Sequence, residues 1–586
     1  MRSTRKISRT VLLVSAAAIA VLAAAPAAAA SAQLYDIEVA QLAEIDRLTA
    51  LGFTIDARWG KTVRIYASVA EAERLEKMGY APEPVMQPAP PAAKDEDPLE
   101  LGTAYHDYTA VTTFLETYAA EYPDLCRLTN IGDSLQGRAL WVLRITDNPG
   151  LEEDEPEFKY IATMHGDEPV GTELCLYLID LLLTGYGTDP RMTALVNEAD
   201  LSILPLMNPD GNAAGRRYNA NTVDLNRSFP KYPEDFTGTI YAGEALHAGN
   251  REPETAAVME WTAANSFVLS ANFHTGAMVV NYPYDDDGTG SGVDAPSPDD
   301  ALFEDISLRY SQYNTPMYTN PQFQPYGITN GALWYEIDGG MQDWNYRYAA
   351  CMEVTIELWN IKWPSASTLP QFWEDNRESM LAYMESVFIG VRGIVTDALT
   401  GAPLYARATV TGNTQPVFTD PDIGDYHRLL LPGEYELTFE ASGYTPRVFS
   451  GVSVGEGAAT RLDVNLFPEG AEGEGEGEGA GPIIDNPHTA DQNANGRVGM
   501  GELLRVIQFY TSLALHCDAA TEDGFAPGAG AHDCTPHASD YYGGAADWRI
   551  DLHELLRLIQ FHNAGGYGPC PAAGTEDGFC VIFPVR

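Results

Sequence analysis

The stretch Tyr160-Ile161-Ala162-Thr163-Met164-His165-Gly166-Asp167-Glu168-Pro169-Val170-Gly171, running on into the apolar segment that ends at Leu183, decides the fold. A short apolar strand, Tyr160–Met164, is followed after a polar turn by a long apolar helix, Gly171–Leu183. Working outward, Leu140–Thr146, Leu201–Met207, Phe267–Phe273 and Met352–Leu358 read as further buried strands, and His106–Tyr122 as an amphipathic helix stopped by Tyr122-Pro123. Strands alternating with helices over residues 104–388 predict an α/β domain, a mostly parallel mixed sheet flanked by helices. In that architecture ligands bind beyond the carboxyl ends of the strands.

The 586 residues suggest roughly four domains. Residues 1–32 carry Arg2, Arg5, Lys6 and Arg9, then an apolar run from Val11 to Ala24, then small residues ending Ala30-Ser31-Ala32. That grammar predicts a secretory signal peptide and a secreted or cell-surface protein with no membrane span after cleavage. Residues 33–81 read as a small α+β unit, either a pro-segment that blocks a cleft until cut or a permanent module. A stiff linker follows to residue 103, with six prolines between Pro82 and Pro98. Short alternating strands between Gly/Pro turns make residues 389–468 a small antiparallel β-sandwich. The Gly/Glu run of residues 469–483 cannot bury a core and is a second linker. Residues 484–586 hold an internal repeat, Glu502–Phe509 recurring as Glu554–Phe561.

Charge excludes some functions. The 35 basic and 83 acidic residues give −48, and losing the four basic residues of the signal takes this to −52. A generic nucleic-acid binder needs a basic face, and adhesion to anionic lipid is equally disfavoured. Cys517, Cys534, Cys570 and Cys580 cluster in the tail and predict two disulfides, with three pairings open. The odd total of seven leaves at least one thiol among Cys126, Cys175 and Cys351, read as a buried apolar cysteine.

His165 and Glu168, three apart at a strand exit, suit zinc, whose catalytic sites take imidazole and carboxylate ligands and keep one position open. One more ligand is needed. His274 follows the strand Phe267–Phe273 at another carboxyl end. Alone, a His-x-x-Glu pair is more often a polar loop pair.

Six blocks sharpen this reading. They are His165–Gly171, Pro205–Gly211, Gly215–Arg227, Asn272-Phe273-His274 with Asn281–Asp285, Gly327–Trp344, and Glu353–Leu358. In this order, across the 194 residues from His165 to Leu358, they resemble the zinc metallocarboxypeptidases, most nearly the branch of carboxypeptidases N, E and D, in which a transthyretin-like β-sandwich follows the catalytic domain. The resemblance implies a zinc ion held by His165, Glu168 and His274. It implies Glu357 as general base, Arg217 on the tetrahedral oxyanion, and Asn226, Arg227 and Tyr335 as the clamp on the substrate's terminal carboxylate. Asp285 aligns with the acidic residue behind this branch's preference for C-terminal Lys or Arg, and Gln342 with a pocket-lining position. Asp285 also begins Asp285-Asp286-Asp287 in a Gly/Ser/Asp-rich loop, where a solvated carboxylate is the alternative. Thr275 stands where close relatives usually have Gly. Taken singly, Arg217 and Arg227 suit surface ion pairs, Glu357 a solvated strand end, and Tyr335 a core position beside Trp334. Peptide or protein C-termini are the implied substrates.

In the tail, Asp491-Gln492-Asn493-Ala494-Asn495-Gly496, with Glu502 at position 12, fits the twelve-residue calcium loop. The second copy is degenerate: Asp547, Asp551 and Glu554 keep positions 5, 9 and 12, and Asp540 is a substitute ligand through a longer loop. Paired calcium-loop helices in an exported chain resemble dockerin modules, which implies a scaffold or cell-surface partner. The alternative is a disulfide-tied cap. Two other functions fit the same chain, a peptidoglycan or other amide hydrolase on this fold, and an inactive peptidase-like binding or adhesion protein.

Overall fold

A computed structural model describes residues 32–88, 97–231 and 251–469, and in the tail 488–490, 498–518, 521, 524–537, 539–540, 546–564, 567–569 and 579–581. The signal-peptide reading, most of the Gly/Glu linker, and Asp491, Asn493, Asn495 and Cys570 lie outside the described residues. The chain forms two compact units, Met1–Ala471 and Glu472–Arg586.

The first unit opens with β1 (Gln33–Glu38), α1 (Ala43–Ala50), β2 (Thr54–Trp59), β3 (Thr62–Ala67), α2 (Val69–Lys77) and β4 (Glu83–Pro84). Its sheet runs β2-β3-β1-β4, with β2 on the edge. The register of β2 on β3 shifts between Ile55 and Ala57, so Asp56 is the extra residue of a β-bulge. A bulge re-aims the side chain it carries. The apolar face of this sheet packs on its own two helices and on residues from further along the chain. Ile37, Ile45, Leu48, Ile55, Val63 and Ile65 form one buried cluster with Ala277, Val279, Trp334, Tyr335 and Ile337.

Eight strands make the main sheet: β5 (Cys126–Asp133), β6 (Ala139–Ile145), β7 (Glu157–Ala162), β8 (Asp200–Leu204), β9 (Phe267–His274), β10 (Met278–Tyr282), β11 (Ile328–Asn330) and β12 (Met352–Leu358). Their order is β11-β10-β12-β9-β7-β8-β6-β5. The centre is parallel, β12 on β9, β9 on β7 and β7 on β8, while β10 on β12, β8 on β6 and β6 on β5 are antiparallel. This is the expected mixed sheet. Helix α3 (Tyr108–Glu121), α4 (Val170–Gly185) and α5 (Pro190–Glu198) follow in chain order among the flanking helices. Leu174, Leu178, Ile179 and Leu182 of α4 are wholly buried against the sheet. Each such side chain contributes about 1.5–3 kcal/mol of burial.

β7 starts three residues before the apolar run and stops two residues short of its end. Polar Glu157 and Lys159 conceal its start in the sequence; buried Lys159 donates to Thr262 Oγ1 (2.8 Å) and Asn345 Oδ1 (2.9 Å). It stops because Thr163 takes a left-handed φ of 54°. That conformation is costly for a β-branched residue and turns the chain toward His165.

Residues 391–468 form the β-sandwich. One sheet holds Asp425–Arg428, Val391–Asp397, Val464–Pro468 and Tyr444–Thr445, the other Val417–Phe418, Arg407–Val410, Gly433–Glu440 and Arg447–Val454. The expected all-antiparallel pairing is corrected here: Val391–Asp397 runs parallel to Val464–Pro468. Pairing direction depends on how the connections cross, which strand patterns do not encode. Among the described residues no single helix is long and apolar enough to cross a membrane.

In the second unit the repeat becomes two helices, Met500–Ser512 and Leu552–Ala564, meeting through Leu503, Val506, Phe509, Leu555, Leu558 and Phe561. Arg505 donates to the carbonyl of Phe525 (2.8 Å) and Arg557 to that of Phe579 (2.7 Å), so each helix is tied to the same kind of segment that follows it. Glu502 Oε2 accepts from Gly499 N at 2.8 Å. Asp551 Oδ1 accepts from His553 and Glu554 N, and Asp540 from Asp547 and Trp548 N, so both hold backbone at loop and helix starts. Cys517 and Cys534 form a disulfide, while Cys126, Cys175 and Cys351 are free and buried. The bond closes a separation of 17 residues. Replacing Cys517 and Cys534 with Ser is expected to cost roughly 3 kcal/mol in this unit, read by hydrogen exchange in helix Met500–Ser512.

Candidate metal centre

His165 and Glu168 leave the carboxyl end of β7, and His274 is the last residue of β9, its neighbour in the sheet. The turn that carries the first two needs Gly166. A Cβ there would lie 2.1 Å from the carbonyl carbon of Gly211. Glu168 closes the turn just before Pro169 caps α4. His165 Nδ1 lies 2.9 Å from Glu168 Oε1 and 3.0 Å from His274 Nδ1, and His274 Nδ1 lies 3.0 Å from Glu168 Oε2. All three side chains are buried.

The donor set fits zinc. Two imidazole nitrogens and a carboxylate converge, and Zn²⁺ takes such ligands at about 2.0–2.2 Å. Burial, then the neighbouring His165, pushes His274 down to about 4, leaving the neutral imidazole that binds metal. Burial favours a neutral Glu168, but Lys362, His165 and His274 outweigh it and hold the carboxyl well below its usual range. Asp224 Oδ1 sits 3.0 Å from His165 Nε2, the carboxylate–histidine contact that orients a ligating ring.

Around this triad the expected residues assemble. Glu357 ends β12 as the register partner of His274, and burial raises its pKa to about 7 against the pull of Lys362. Arg217 is buried; its Nε donates to Asp224 Oδ2 (2.9 Å) and its Nη1 lies 3.5 Å from Glu168 Oε1. Asn226 Oδ1 accepts from Met341 N (3.0 Å), fixing the helix Met341–Ala349. Asp285 is buried rather than solvated, and Gln342 Nε2 (2.8 Å) and Asn281 Nδ2 (3.1 Å) donate to its Oδ1. Burial, then Asp343, drives the Asp285 carboxyl well above its usual range. Thr275 N donates to Glu168 Oε2 at 2.9 Å.

Two participants were absent from the sequence reading. Lys362 Nζ is buried, 2.7 Å from Glu168 Oε1 and 2.7 Å from Asp56 Oδ1. Asp56 reaches the centre from the bulge of β2, and its Oδ1 also accepts from Arg217 Nη1 (3.1 Å). The same strand lies along Arg227 and Tyr335, the expected clamp residues. Arg227 Nη2 donates to Ile55 O (3.5 Å) and Tyr335 Oη to Asp56 O (2.9 Å). Arg58 donates to the carbonyls of Trp334 and Leu333, and Trp334 Nε1 returns a bond to Arg58 O (2.8 Å). Tyr66 donates to Asp167 beside the metal ligands. Only the match of Asp224 to the Gly215–Arg227 block gave any sequence signal for these residues; Asp56 and Lys362 gave none.

A family model described as zinc carboxypeptidase matches residues 111–379, and one described as carboxypeptidase regulatory-like domain matches residues 390–467. The catalytic chain of carboxypeptidase N from Mus musculus is 39% identical over 393 residues, covering 62% of this chain and 86% of that one. The chain belongs to the zinc carboxypeptidase family. Carboxypeptidase M of Mus musculus is 39% identical over 364 residues, 59% of this chain and 80% of that one. Carboxypeptidase D of Homo sapiens is 44% identical over 382 residues, 62% of this chain. This chain spans only 27% of that relative's length. Among solved structures, carboxypeptidase A from Helicoverpa armigera is similar with a TM-score of 0.48 and 21% identity, over 61% of this chain and 97% of that one. Family membership accounts for the sheet, the sandwich after it and the implied zinc. Neither family match extends to residues 33–81 or to the tail.

Proposed function

We propose that this chain is an exported zinc carboxypeptidase that removes C-terminal residues, Lys and Arg preferred, and that its N-terminal unit is a pro-segment holding it latent. The convergence of His165, Glu168 and His274 beside Arg217 and Glu357 carries the reading. A zinc ion there supplies Lewis acidity and makes a bound water acidic enough to ionise near neutral pH. Glu357 takes the proton of the attacking water and passes it to the leaving amine, a role its raised pKa suits. Arg217, aligned by Asp224, faces the carbonyl oxygen as it gains charge. Arg227 and Tyr335 bind the terminal carboxylate, which only a chain end supplies.

Basic specificity rests on Asp285, a buried carboxylate that a guanidinium or ammonium group would pair. Replacing Asp285 with Asn is expected to lower kcat/KM for a peptide ending in Arg by about 100-fold and to leave a Phe-ended peptide nearly unchanged. In the tail, Asp491, Asn493, Asn495 and Glu502 are proposed calcium ligands of a dockerin-like module that holds a scaffold or surface partner.

The test uses protein cleaved after the pro-segment and freed of it, with matched blocked peptides ending in Arg or Phe, with and without a zinc chelator. Chelator-sensitive release of Arg is expected. Release of Phe alone keeps the peptidase and removes the basic pocket. A cleaved, zinc-loaded protein that releases neither sinks the carboxypeptidase reading.

A further inference from the structure

A second carboxylate group lies at the seam between the main sheet and the β-sandwich, and no residue in it belongs to the zinc centre. Glu157 opens β7, and its register partner on the adjacent parallel strand β8 is Asp200. Register partners on neighbouring strands face the same side of a sheet. Each is 6% exposed. Glu152, from the loop before β7, and Asp420, from the sandwich, approach Glu157, so that oxygens of Glu152, Glu157 and Asp420 lie within 4.8 Å of one another. Asp154, Asp425 and His427 form a second group of the same closeness. A cleft with Glu157, Ser266, Phe418, Asp425 and His427 in its lining opens at this seam.

The protein's own donors leave this group short of positive charge. Arg144 Nε donates to Asp200 Oδ2 (2.6 Å), and Arg144 Nη2 reaches Glu152 (3.3 Å). Ser266 N donates to Glu157 Oε1 (2.8 Å) and Ser266 Oγ to Asp420 Oδ2 (3.0 Å). Asp422 N and Ile423 N donate to Asp420 Oδ1. Arg461 pairs with Asp154, and His427 with Asp425. With these bonds made, Asp200 Oδ1 is still a buried carboxylate oxygen without a hydrogen-bond partner, on the face that Glu157 shares, and Asp154 Oδ1 is a second such oxygen. A charged oxygen left dry and unpaired is expensive. Burial, then Asp200 and Glu152, pushes Glu157 well above the carboxylate range, and burial carries Glu152 up to about 7 despite Arg144.

We infer that this seam binds one calcium ion through Glu152, Glu157 and Asp420, with the unpaired carboxylate oxygen of Asp200 beside them, tying the β-sandwich to the catalytic domain. The three proposed ligands are all carboxylates, which suits a hard cation that accepts 6–8 oxygens in loose geometry, including bidentate carboxylates. Zinc takes a carboxylate as one ligand among nitrogen or sulfur donors in a tetrahedron, and no nitrogen or sulfur belongs to this group. Because Glu157 belongs to the sheet and Asp420 to the sandwich, the ion crosslinks two domains. It therefore stabilises the folded state by mass action.

The test uses the full chain, freed of calcium with a calcium-selective chelator that leaves zinc in place. Calcium binding is titrated calorimetrically, and thermal unfolding is followed with and without millimolar calcium. Three variants are compared with the wild type: Glu157→Gln with Asp420→Asn, Glu152→Gln, and Glu502→Gln in the tail. The expected result is that the seam double variant loses one calcium and most of the calcium-dependent rise in Tm. Glu502→Gln keeps both. The exposed Glu152→Gln decides if the double variant fails to fold, and its calcium affinity is expected to fall at least tenfold. Unchanged stoichiometry in the double variant, unchanged affinity in Glu152→Gln, or a wild-type chain whose only calcium disappears with Glu502→Gln overturns the assignment.

Discussion

Cleavage between residues 82 and 103, followed by removal of the freed N-terminal segment, is expected to raise kcat/KM on an Arg-ended peptide by roughly 10²–10³, or about 3–4 kcal/mol of lost blockade. On the proposed reading, strand β2 occupies the places a substrate needs. Its Ile55 and Asp56 carbonyls take the donors of Arg227 and Tyr335, and the Asp56 carboxylate takes Arg217 and Lys362 beside the metal ligands. A buried ion pair in that position is expensive to half-break. Asp56→Ala in the uncut chain leaves Lys362 and Arg217 short of an anion, so partial activation is expected without any cleavage. The shared apolar cluster keeps a nicked segment docked, which is why it must be separated before the assay. Rates measured on uncut, nicked and separated protein check this. Equal rates in all three would make the unit a permanent module that leaves the cleft open.

Glu357→Gln in the separated enzyme is expected to lower kcat by a factor on the order of 10²–10⁴, the usual worth of a positioned acid–base group. KM and zinc content should hardly move. The substitution keeps the shape at the end of β12 and removes only the ability to carry a proton. His274→Ala, its register partner, should instead lose the metal itself. Zinc analysis beside single-turnover kinetics separates the two. A Gln variant with wild-type kcat would assign the proton transfers to another residue.

The α/β sheet was legible because its central strands are buried on both faces and therefore apolar throughout, as in β9 and β12. The proposed metal ligands were legible because the chemistry of zinc restricts residue types and because six ordered blocks fix their context. Strand β2 was not legible. Its Asp56 breaks the alternation of Thr54–Trp59, since a bulge inserts one residue and inverts the pattern beyond it. Lys362 follows β12 in a loop, where a lone cation gives no periodic signal and surface exposure is the usual expectation.

The sequence by itself determined the main sheet, the sandwich after it, the residue types that can hold zinc, and the repeat that becomes two paired helices. Those features follow from local apolar patterning and from ligand chemistry, both written along the chain. Only the tertiary structure decided that Asp285 is buried, that Cys517 pairs with Cys534, that Glu157, Asp200 and Asp420 share a seam, and that Asp56 lies against Arg217 and Lys362. Each of these joins residues distant in sequence, and which charges meet is fixed by how folded elements pack, long after local preference has been satisfied.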